Sequence, residues 1–142
     1  MPSNTTIVTR LPEELPEQDV INRLQNHDTY IRTTSPDLVS QKHISGIQEL
    51  NHPCMYEIVD IRGFGRIKFG LTLTNVVDGV NAVVEGRAPT GSLKIRSEWR
   101  ARAGKLEEVV EIESNFITKA IVKKNVDKEH LEFHRRFVAT TQ

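Results

Sequence analysis

The strongest constraint on the fold is a pair of alternating segments on either side of Ala103-Gly104. Apolar or small residues at every second position alternate with charged ones, and a period of two is typical of half-buried strands. A turn at Ala103-Gly104 would place three opposite charges in register: Arg100 faces Glu107, Arg96 faces Glu111 and Lys94 faces Glu113. Because opposite charges stabilise cross-strand pairs, the pattern predicts an antiparallel hairpin.

A second hairpin is predicted just before the first. Alternating apolar residues from Ile67 to Leu73 are followed by Asp78-Gly79, a dipeptide typical of a two-residue type I′ turn. A turn at that dipeptide sets Leu73 opposite Val84 and Leu71 opposite Gly86. The predicted inner face includes the small residues Ala82, Gly86 and Ser97, which would leave space above the sheet.

The remaining segments predict three more strands and two helices. Strands are expected over residues 5–9, 38–47 and 54–61, with a turn near Asn51-His52-Pro53, and helices over 17–31 and 116–138. In the 54–61 strand, either Met55, Glu57 and Val59 or Tyr56, Ile58 and Asp60 face the interior. The buried stripe of the last helix is predicted as Phe116, Ile117, Ala120, Ile121, Leu131 and Val138, with Val122, Val126, Phe133 and Phe137 beside it.

These elements predict one α+β domain over residues 1–142. Its fold would be a helix grip, in which a curved antiparallel sheet of about six to seven strands wraps around the long C-terminal helix. A helix on the concave face of such a sheet encloses an internal cavity, and the inward side chains predict that it is apolar.

Composition excludes several function classes. Basic and acidic residues both number 19, and the predicted charge ladder neutralises the basic stripe, so nucleic acid is not an expected partner. The apolar runs are too short for a membrane span, and the first residues do not resemble a secretory signal. The single cysteine, Cys54, excludes an internal disulfide and a Cys-based zinc site. We therefore expect a cytoplasmic protein with no cofactor, and the sequence leaves open whether it forms a homodimer.

Several segments carry a resemblance to a known superfamily. They are Asn26-His27, Ser35-Pro36-Asp37-Leu38, Tyr56-Glu57, Asp60, Asp78-Gly79, Ala88-Pro89-Thr90-Gly91, Leu93-Lys94-Ile95, Trp99 and residues 116–124. Through them the chain resembles the START-like superfamily of polyketide cyclases, plant allergens and lipid carriers, and within it a family of uncharacterised fungal domains. The resemblance implies a helix-grip fold and a pocket for an apolar small molecule, but no single chemistry.

Four residues are predicted as catalytic groups. Glu57 and Asp60 lie on opposite faces of one strand, so one of them points inward, where burial raises a carboxyl pKa towards neutrality. Glu108 falls opposite Trp99 on the inner face, although its closeness to the turn favours an exposed rim position. His43 lies in a strand whose facing is open.

A second group of residues is predicted to contact the ligand: Tyr56, Trp99, Tyr30, His27, Phe69, Leu71 and Ser97. The aromatic and aliphatic members would line an apolar pocket, and the polar tips would orient an oxygenated ligand. His130 and His134 have the four-residue spacing of metal ligands, but no third ligand accompanies them, so no metal site is predicted. Both are expected to be solvated or to lie close to the helix cap.

Two functions follow from these predictions. The first is a cofactor-independent cyclase, isomerase or dehydratase of secondary-metabolite biosynthesis that binds a polyketide-, terpenoid- or alkaloid-like intermediate. The alternative is a carrier or sensor that binds a lipid or apolar metabolite unchanged. Ionisable candidates on an apolar face favour the enzyme, because burying each such group costs several kcal/mol.

Overall fold

The computed structural model describes residues 3–62, 65–88 and 90–140. The ends of the predicted 1–142 domain therefore lie outside the described residues. In chain order the elements are β1 (Ser3–Arg10), α1 (Glu17–Gln25), α2 (His27–Thr34), β2 (Leu38–Ser45), β3 (Pro53–Arg62), β4 (Gly65–Val76), β5 (Gly79–Ala88), β6 (Gly91–Arg102), β7 (Lys105–Ser114) and α3 (Phe116–Phe137).

The strands form one seven-stranded sheet in the order β1-β7-β6-β5-β4-β3-β2. Every neighbouring pair is antiparallel. From β2 to β7 each strand pairs with the next one along the chain, and β1 closes the far edge beside β7. The long helix α3 packs on β1, β6 and β7 and against α1 and α2. This architecture confirms the predicted α+β helix-grip fold.

The β6–β7 hairpin has the predicted register. Arg100 lies opposite Glu107, and Trp99 lies opposite Glu108. Ala103 and Gly104 have φ angles of 54° and 72°, the left-handed values that a two-residue type I′ turn requires. The ion pairs differ in part from prediction, because Arg100 contacts Asp78 at 3.4 Å instead of Glu107. An outward side chain of this hairpin can thus form an ion pair with a residue other than its direct cross-strand neighbour.

The β4–β5 hairpin differs from its predicted register by two residues. Val76 pairs with Gly79, and Leu71 lies opposite Val84 instead of Gly86. The loop is therefore Val77-Asp78. The glycine serves another purpose, since a Cβ at Gly79 would lie 1.8 Å from the Trp99 carbonyl oxygen. A shift of two residues keeps every side chain on its predicted face.

The predicted helix over 17–31 is two helices that meet at Asn26. The Asn26 backbone N–H bonds the Asn22 carbonyl at the end of α1. Its side-chain oxygen accepts a hydrogen bond of 3.1 Å from the backbone N–H of Thr29, which caps the start of α2. One short polar side chain therefore breaks the helix and aims His27 at the sheet.

The buried face of α3 differs from the predicted stripe. Val126, Phe133 and Phe137 are buried, whereas Ile117 is 62% exposed and Ile121 is 53% exposed. Leu131 is exposed as well. The polar residues Thr118 and His134 are fully buried instead. The helix is rotated so that these polar side chains, and not the isoleucines, face the sheet.

Candidate functional site

A fully buried carboxylate, Glu108 of β7, lies beneath α3. Its Oε2 is 2.6 Å from Nδ1 of His130, and its Oε1 is 3.1 Å from Nε2 of His134. Histidines four residues apart lie on the same face of a helix, so both can reach one carboxylate. We call Glu108, His130, His134 and Thr9 the Glu108 cluster.

His134 is fixed through both ring nitrogens. Its Nδ1 lies 2.9 Å from Oγ1 of Thr9, and its Nε2 contacts Glu108. A carboxylate accepts a proton donor, so Nε2–H donates to Glu108 and the Thr9 hydroxyl donates to Nδ1. The His134 side chain is 0% exposed. It therefore positions the carboxylate and cannot meet a ligand.

His130 is held through one ring nitrogen alone. Its side chain is 13% exposed, and within the described residues its Nε2 has no hydrogen-bond partner. Because Nδ1–H donates to Glu108, Nε2 of the neutral ring carries the lone pair. This arrangement is that of a general base oriented by a carboxylate.

The charge of Glu108 depends on the two histidines. Burial by itself raises the pKa of the carboxyl group, but His130, and then His134, outweigh it and bring the pKa below the ordinary value. Glu108 is therefore ionised at neutral pH. The expectation of a rim position for Glu108 is wrong. Neither histidine side chain is largely exposed to solvent, although His134 does lie in the last turn of α3, close to its C-cap.

Two predicted ligand-contacting aromatics adjoin this cluster. Trp99 is fully buried and donates its Nε1–H to Oη of Tyr30 at 3.0 Å. The Trp99 ring centroid lies 4.9 Å from that of His134 and 6.4 Å from that of His130. Burial, and then Glu108, raises the pKa of Tyr30, so its phenol stays neutral. Sequence reasoning brought Glu108, Trp99 and Tyr30 forward, and the structure places them together.

A second buried group, which we call the Tyr56 chain, consists of Asn75, His27 and Tyr56. Nδ1 of His27 is 2.7 Å from Oη of Tyr56, and Nε2 is 2.8 Å from Oδ1 of Asn75. Burial lowers the pKa of His27 and outweighs the opposing hydrogen bond from Asn75. The ring is therefore neutral at neutral pH.

The other predicted catalytic residues are dispersed. His43 is exposed on β2, with its ring centroid 5.5 Å from that of Tyr56. Asp60 is 1% exposed on the inner face of β3, and its Oδ1 accepts a hydrogen bond of 2.9 Å from the Ile61 N–H. Glu57 lies on the outer face, 3.5 Å from Nζ of Lys68. The period-two facing of β3 thus turns Glu57 away from the candidate site.

The predicted apolar contacts lie on the concave face of the sheet. Leu71 and Ser97 are each 4% exposed, and Phe69 is half-buried. Val84 and Ile95 pair directly across β5 and β6 and are also half-buried. Side chains on central strands are normally well covered, so their partial exposure marks a part of this face that α3 covers incompletely. A cavity between helix and sheet stays a prediction.

Sequence reasoning missed Thr9, Asn75 and the role of the two histidines. The available signal was the histidine spacing together with Glu108, which the hairpin register already placed inward. Thr9 and Asn75 gave no comparable signal. Within the described residues no group of three His, Cys, Asp or Glu side chains is arranged to hold a metal ion. None of the helices there is long and apolar enough to cross a membrane.

Several solved structures have a fold similar to that of this protein along nearly the whole chain. The crystal structure of Ara h 8.0201 is 9% identical, with a TM-score of 0.63, and the match covers 96% of this chain and 98% of that one. The Zhui aromatase/cyclase from Streptomyces sp. R1128 is 9% identical, with a TM-score of 0.64 and coverage of 97% and 92%. The 18 kDa protein CC1736 from Caulobacter crescentus is 15% identical, with a TM-score of 0.61 and coverage of 96% and 93%. These similarities show that the chain shares the helix-grip fold of these structures.

The sequence comparisons identify the family. No curated protein matches the sequence. Residues 2–142 match a family described as a domain of unknown function, DUF7053, and the chain belongs to that family.

Proposed function

We propose that the chain is a cofactor-independent enzyme of cyclase or isomerase type that acts on an apolar small molecule. The observation that carries the proposal is His130, whose Nδ1 is bound by the buried Glu108 carboxylate while its Nε2 has no partner among the described residues. A carboxylate-oriented imidazole is a general base suited to work near neutral pH.

The proposed reaction moves a proton within the substrate. Nε2 of His130 removes a proton from a carbon or hydroxyl group, and the resulting imidazolium is stabilised by Glu108. The same nitrogen then returns the proton to a different atom, which gives an isomer, or to a departing hydroxyl, which gives water and a dehydrated product. Either sequence restores the enzyme and needs no oxidant or reductant.

The proposed substrate site is the incompletely covered part of the concave face. Phe69, Val84 and Ile95 offer half-buried apolar side chains. Ser97, two residues before Trp99 on the same face of β6, makes no side-chain hydrogen bond within the described residues, so its hydroxyl is available to a ligand. Asp60 is proposed as a second acid–base group on the inner face.

Two further considerations support a cyclase. One fold relative is named an aromatase/cyclase, and the sequence resemblance implies an apolar pocket. The proposed setting is secondary-metabolite biosynthesis in a fungal cytoplasm. A carrier of an apolar metabolite is the second candidate, favoured by the half-buried apolar side chains, which could bind a ligand without help from His130.

The test compares wild-type protein with His130→Asn. Asparagine can place its amide nitrogen near the position of Nδ1, so it keeps a donor for Glu108 while removing the basic Nε2. The matched control is His52→Asn, since His52 is an exposed histidine in the β2–β3 connection. Each protein, with a boiled sample beside it, is incubated with an apolar metabolite extract of the source organism and the products are analysed by mass spectrometry.

We expect wild type and His52→Asn to form an isomeric or dehydrated product. His130→Asn should form it roughly 100-fold to 10,000-fold more slowly, because general base catalysis contributes about that much. An organic extract of the protein itself shows what it retains. If all three proteins retain a metabolite unchanged and form no product, the proposal of an enzyme is wrong and that of a carrier takes its place. Equal turnover by His130→Asn would refute the role of His130.

A further inference from the structure

A separate pocket of about 300 Å³ lies where β2 and β3 are connected. It is lined by His43, Gly46, Ile47, Gln48, Cys54 and Tyr56. None of these residues belongs to the Glu108 cluster, and none carries a carboxylate, ammonium or guanidinium group. The volume lies at the lower end of the range for small-molecule sites.

The hydrogen bonds of His27 determine whether the Tyr56 hydroxyl donates or accepts at this pocket. The Asn75 amide nitrogen donates to the Gln25 carbonyl at 3.4 Å, so the amide oxygen is the atom that meets Nε2 of His27. A carbonyl oxygen only accepts, and Nε2 therefore carries the ring proton. Nδ1 must then accept, and the Tyr56 hydroxyl donates to it at 2.7 Å. The phenol oxygen also interacts with the side chain of Cys54, and it keeps a lone pair for a ligand.

The donor and acceptor roles of two other lining residues, His43 and Gln48, follow from their hydrogen bonds in the same way. Nε2 of His43 lies 2.9 Å from the Gly46 carbonyl oxygen, so it donates, and Nδ1 is an acceptor. Oε1 of Gln48 accepts a hydrogen bond of 3.3 Å from the His27 backbone N–H, which leaves the Gln48 amide nitrogen as a donor. The lining groups therefore supply two acceptors, Tyr56 and His43, and one donor, Gln48.

We propose that this pocket is a second binding site, for a small neutral molecule that carries a hydroxyl or amide group. The ligand's O–H or N–H donates to Oη of Tyr56, and its oxygen accepts from Gln48. Uncharged lining residues disfavour an ion, and the side chain of Ile47 and the ring of Tyr56 provide apolar walls. The site is independent of the proposed reaction at His130.

Two probes of similar shape test the proposal by NMR on the full chain. Benzyl alcohol carries the required hydroxyl, and toluene lacks it. Benzyl alcohol should shift the amide resonances of Gly46, Ile47 and Gln48 saturably. Tyr56→Phe should weaken its binding roughly fivefold, the loss expected for one neutral hydrogen bond, while leaving toluene binding unchanged.

A second variant keeps the test decisive if Tyr56→Phe fails to fold. Ile47→Trp fills the pocket from its exposed wall and leaves the residues of the Tyr56 chain unchanged, and it should abolish the benzyl alcohol shifts. The control is Ile44→Trp, since Ile44 and Ile47 are similarly exposed, at 51% and 53%, but only Ile47 lines the pocket.

Two results would overturn the proposal. One is the lack of saturable shifts at these three amides, and the other is equal benzyl alcohol binding by wild type and Ile47→Trp. His130→Asn should bind benzyl alcohol as the wild type does. The second site and the proposed turnover can therefore fail separately.

Discussion

The Glu108 cluster and the Tyr56 chain both hold buried histidines, but the partners differ in charge. His134 meets a carboxylate through Nε2 and a hydroxyl through Nδ1. His27 meets an amide oxygen through Nε2 and a phenol through Nδ1. A carboxylate stabilises an imidazolium nearby, whereas an amide cannot repay the burial of that charge. The carboxylate is therefore compatible with a base at His130, whereas the amide partner restricts His27 to holding its neighbour in place. His134 also meets the carboxylate, but both of its ring nitrogens are engaged.

The two regions also differ in the atom that a ligand can reach. In the Glu108 cluster it is Nε2 of His130, whose side chain is 13% exposed. In the Tyr56 chain His27 is 1% exposed, and the atom available to a ligand is the phenol oxygen at the other end. One region is suited to proton transfer and the other to hydrogen-bonded recognition.

The largest expected effect on stability comes from removing the charge of Glu108. Glu108→Gln should lower the free energy of unfolding by about 3 kcal/mol at pH 7, because the buried N–H groups of His130 and His134 lose the carboxylate that accepts their hydrogen bonds. The pKa of Glu108 is below its ordinary value of 4.5 in the native protein, so its contribution is present above that pH and is lost as the pH falls through the native pKa. Urea unfolding at pH 7 and at lower pH should show the two proteins converging.

Glu107→Gln is the control for this comparison, since Glu107 is the neighbouring residue on the outer face of β7. It should change the unfolding free energy by no more than about 0.5 kcal/mol. Equal losses at pH 7 for Glu107→Gln and Glu108→Gln would remove the distinction between a buried and a partly exposed carboxylate.

The two histidines of the cluster should differ in their effect on stability. His134→Ala should cost about 2–3 kcal/mol, because it opens a cavity and removes the hydrogen-bond partners of Oε1 of Glu108 and of the Thr9 hydroxyl. His130→Ala should cost about 1 kcal/mol, because water can replace its single hydrogen bond. Thermal and urea unfolding measure both. The reverse order would contradict the assignment of His134 as the positioning residue.

A third substitution tests whether the partner sets the charge of His27. In the wild type the pKa of His27 is below 6.5, so its contribution to stability is present above that pH and is lost as the pH falls through the native pKa. Asn75→Asp should raise the pKa of His27 above the wild-type value. At pH 8 the variant should be about 1–2 kcal/mol less stable, since the new carboxylate faces the Gln25 carbonyl.

NMR titration of the His27 ring resonances measures both pKa values. The exposed His52 serves as an internal reference in each protein. An unchanged His27 pKa in Asn75→Asp would show that burial alone, and not the amide partner, governs this histidine.

The smallest effect is expected where charges pair in solvent. Arg96 lies 3.8 Å from Glu111 and 3.6 Å from Glu113, with its side chain 44% exposed. Arg96→Ala should cost at most about 1 kcal/mol, and the difference should shrink in 1 M salt. A loss as large as that of Glu108→Gln would mean that burial adds nothing to charge pairing in this protein.

Sequence patterns were sufficient to predict the β6–β7 hairpin and the facing of its side chains. Alternation and the Ala103-Gly104 turn set the β6–β7 register, and that register alone placed Glu108 beside Trp99 on the inner face. The β4–β5 register was two residues off, because Gly79 is required by the close approach of β6 and not by the turn. The preference of a dipeptide for a turn depends on its own residues, so it does not reveal a contact with another strand such as that between Gly79 and Trp99.

The rotation of α3 could not be predicted from its residue types. Ile117 and Ile121 form the more apolar stripe, yet Thr118 and His134 are the buried residues. Burial of a polar side chain is favourable only when another element supplies a hydrogen-bond partner. For His134 these partners are Glu108 on β7 and Thr9 on β1. Likewise, the break at Asn26 sets the direction of His27, but its pairing with Asn75 arises only in the folded sheet.

The position of β1 at the edge of the sheet has a consequence for synthesis on the ribosome. β1 is translated first, but its partner β7 ends at Ser114, and Thr9 meets His134 across 125 positions of sequence. Strands β2 to β5 can pair as soon as they emerge, because each neighbour follows directly in the chain. A nascent chain would thus complete the pocket at the connection of β2 and β3 early. The Glu108 cluster would form only after α3 has left the exit tunnel, so the proposed base is assembled later than this pocket.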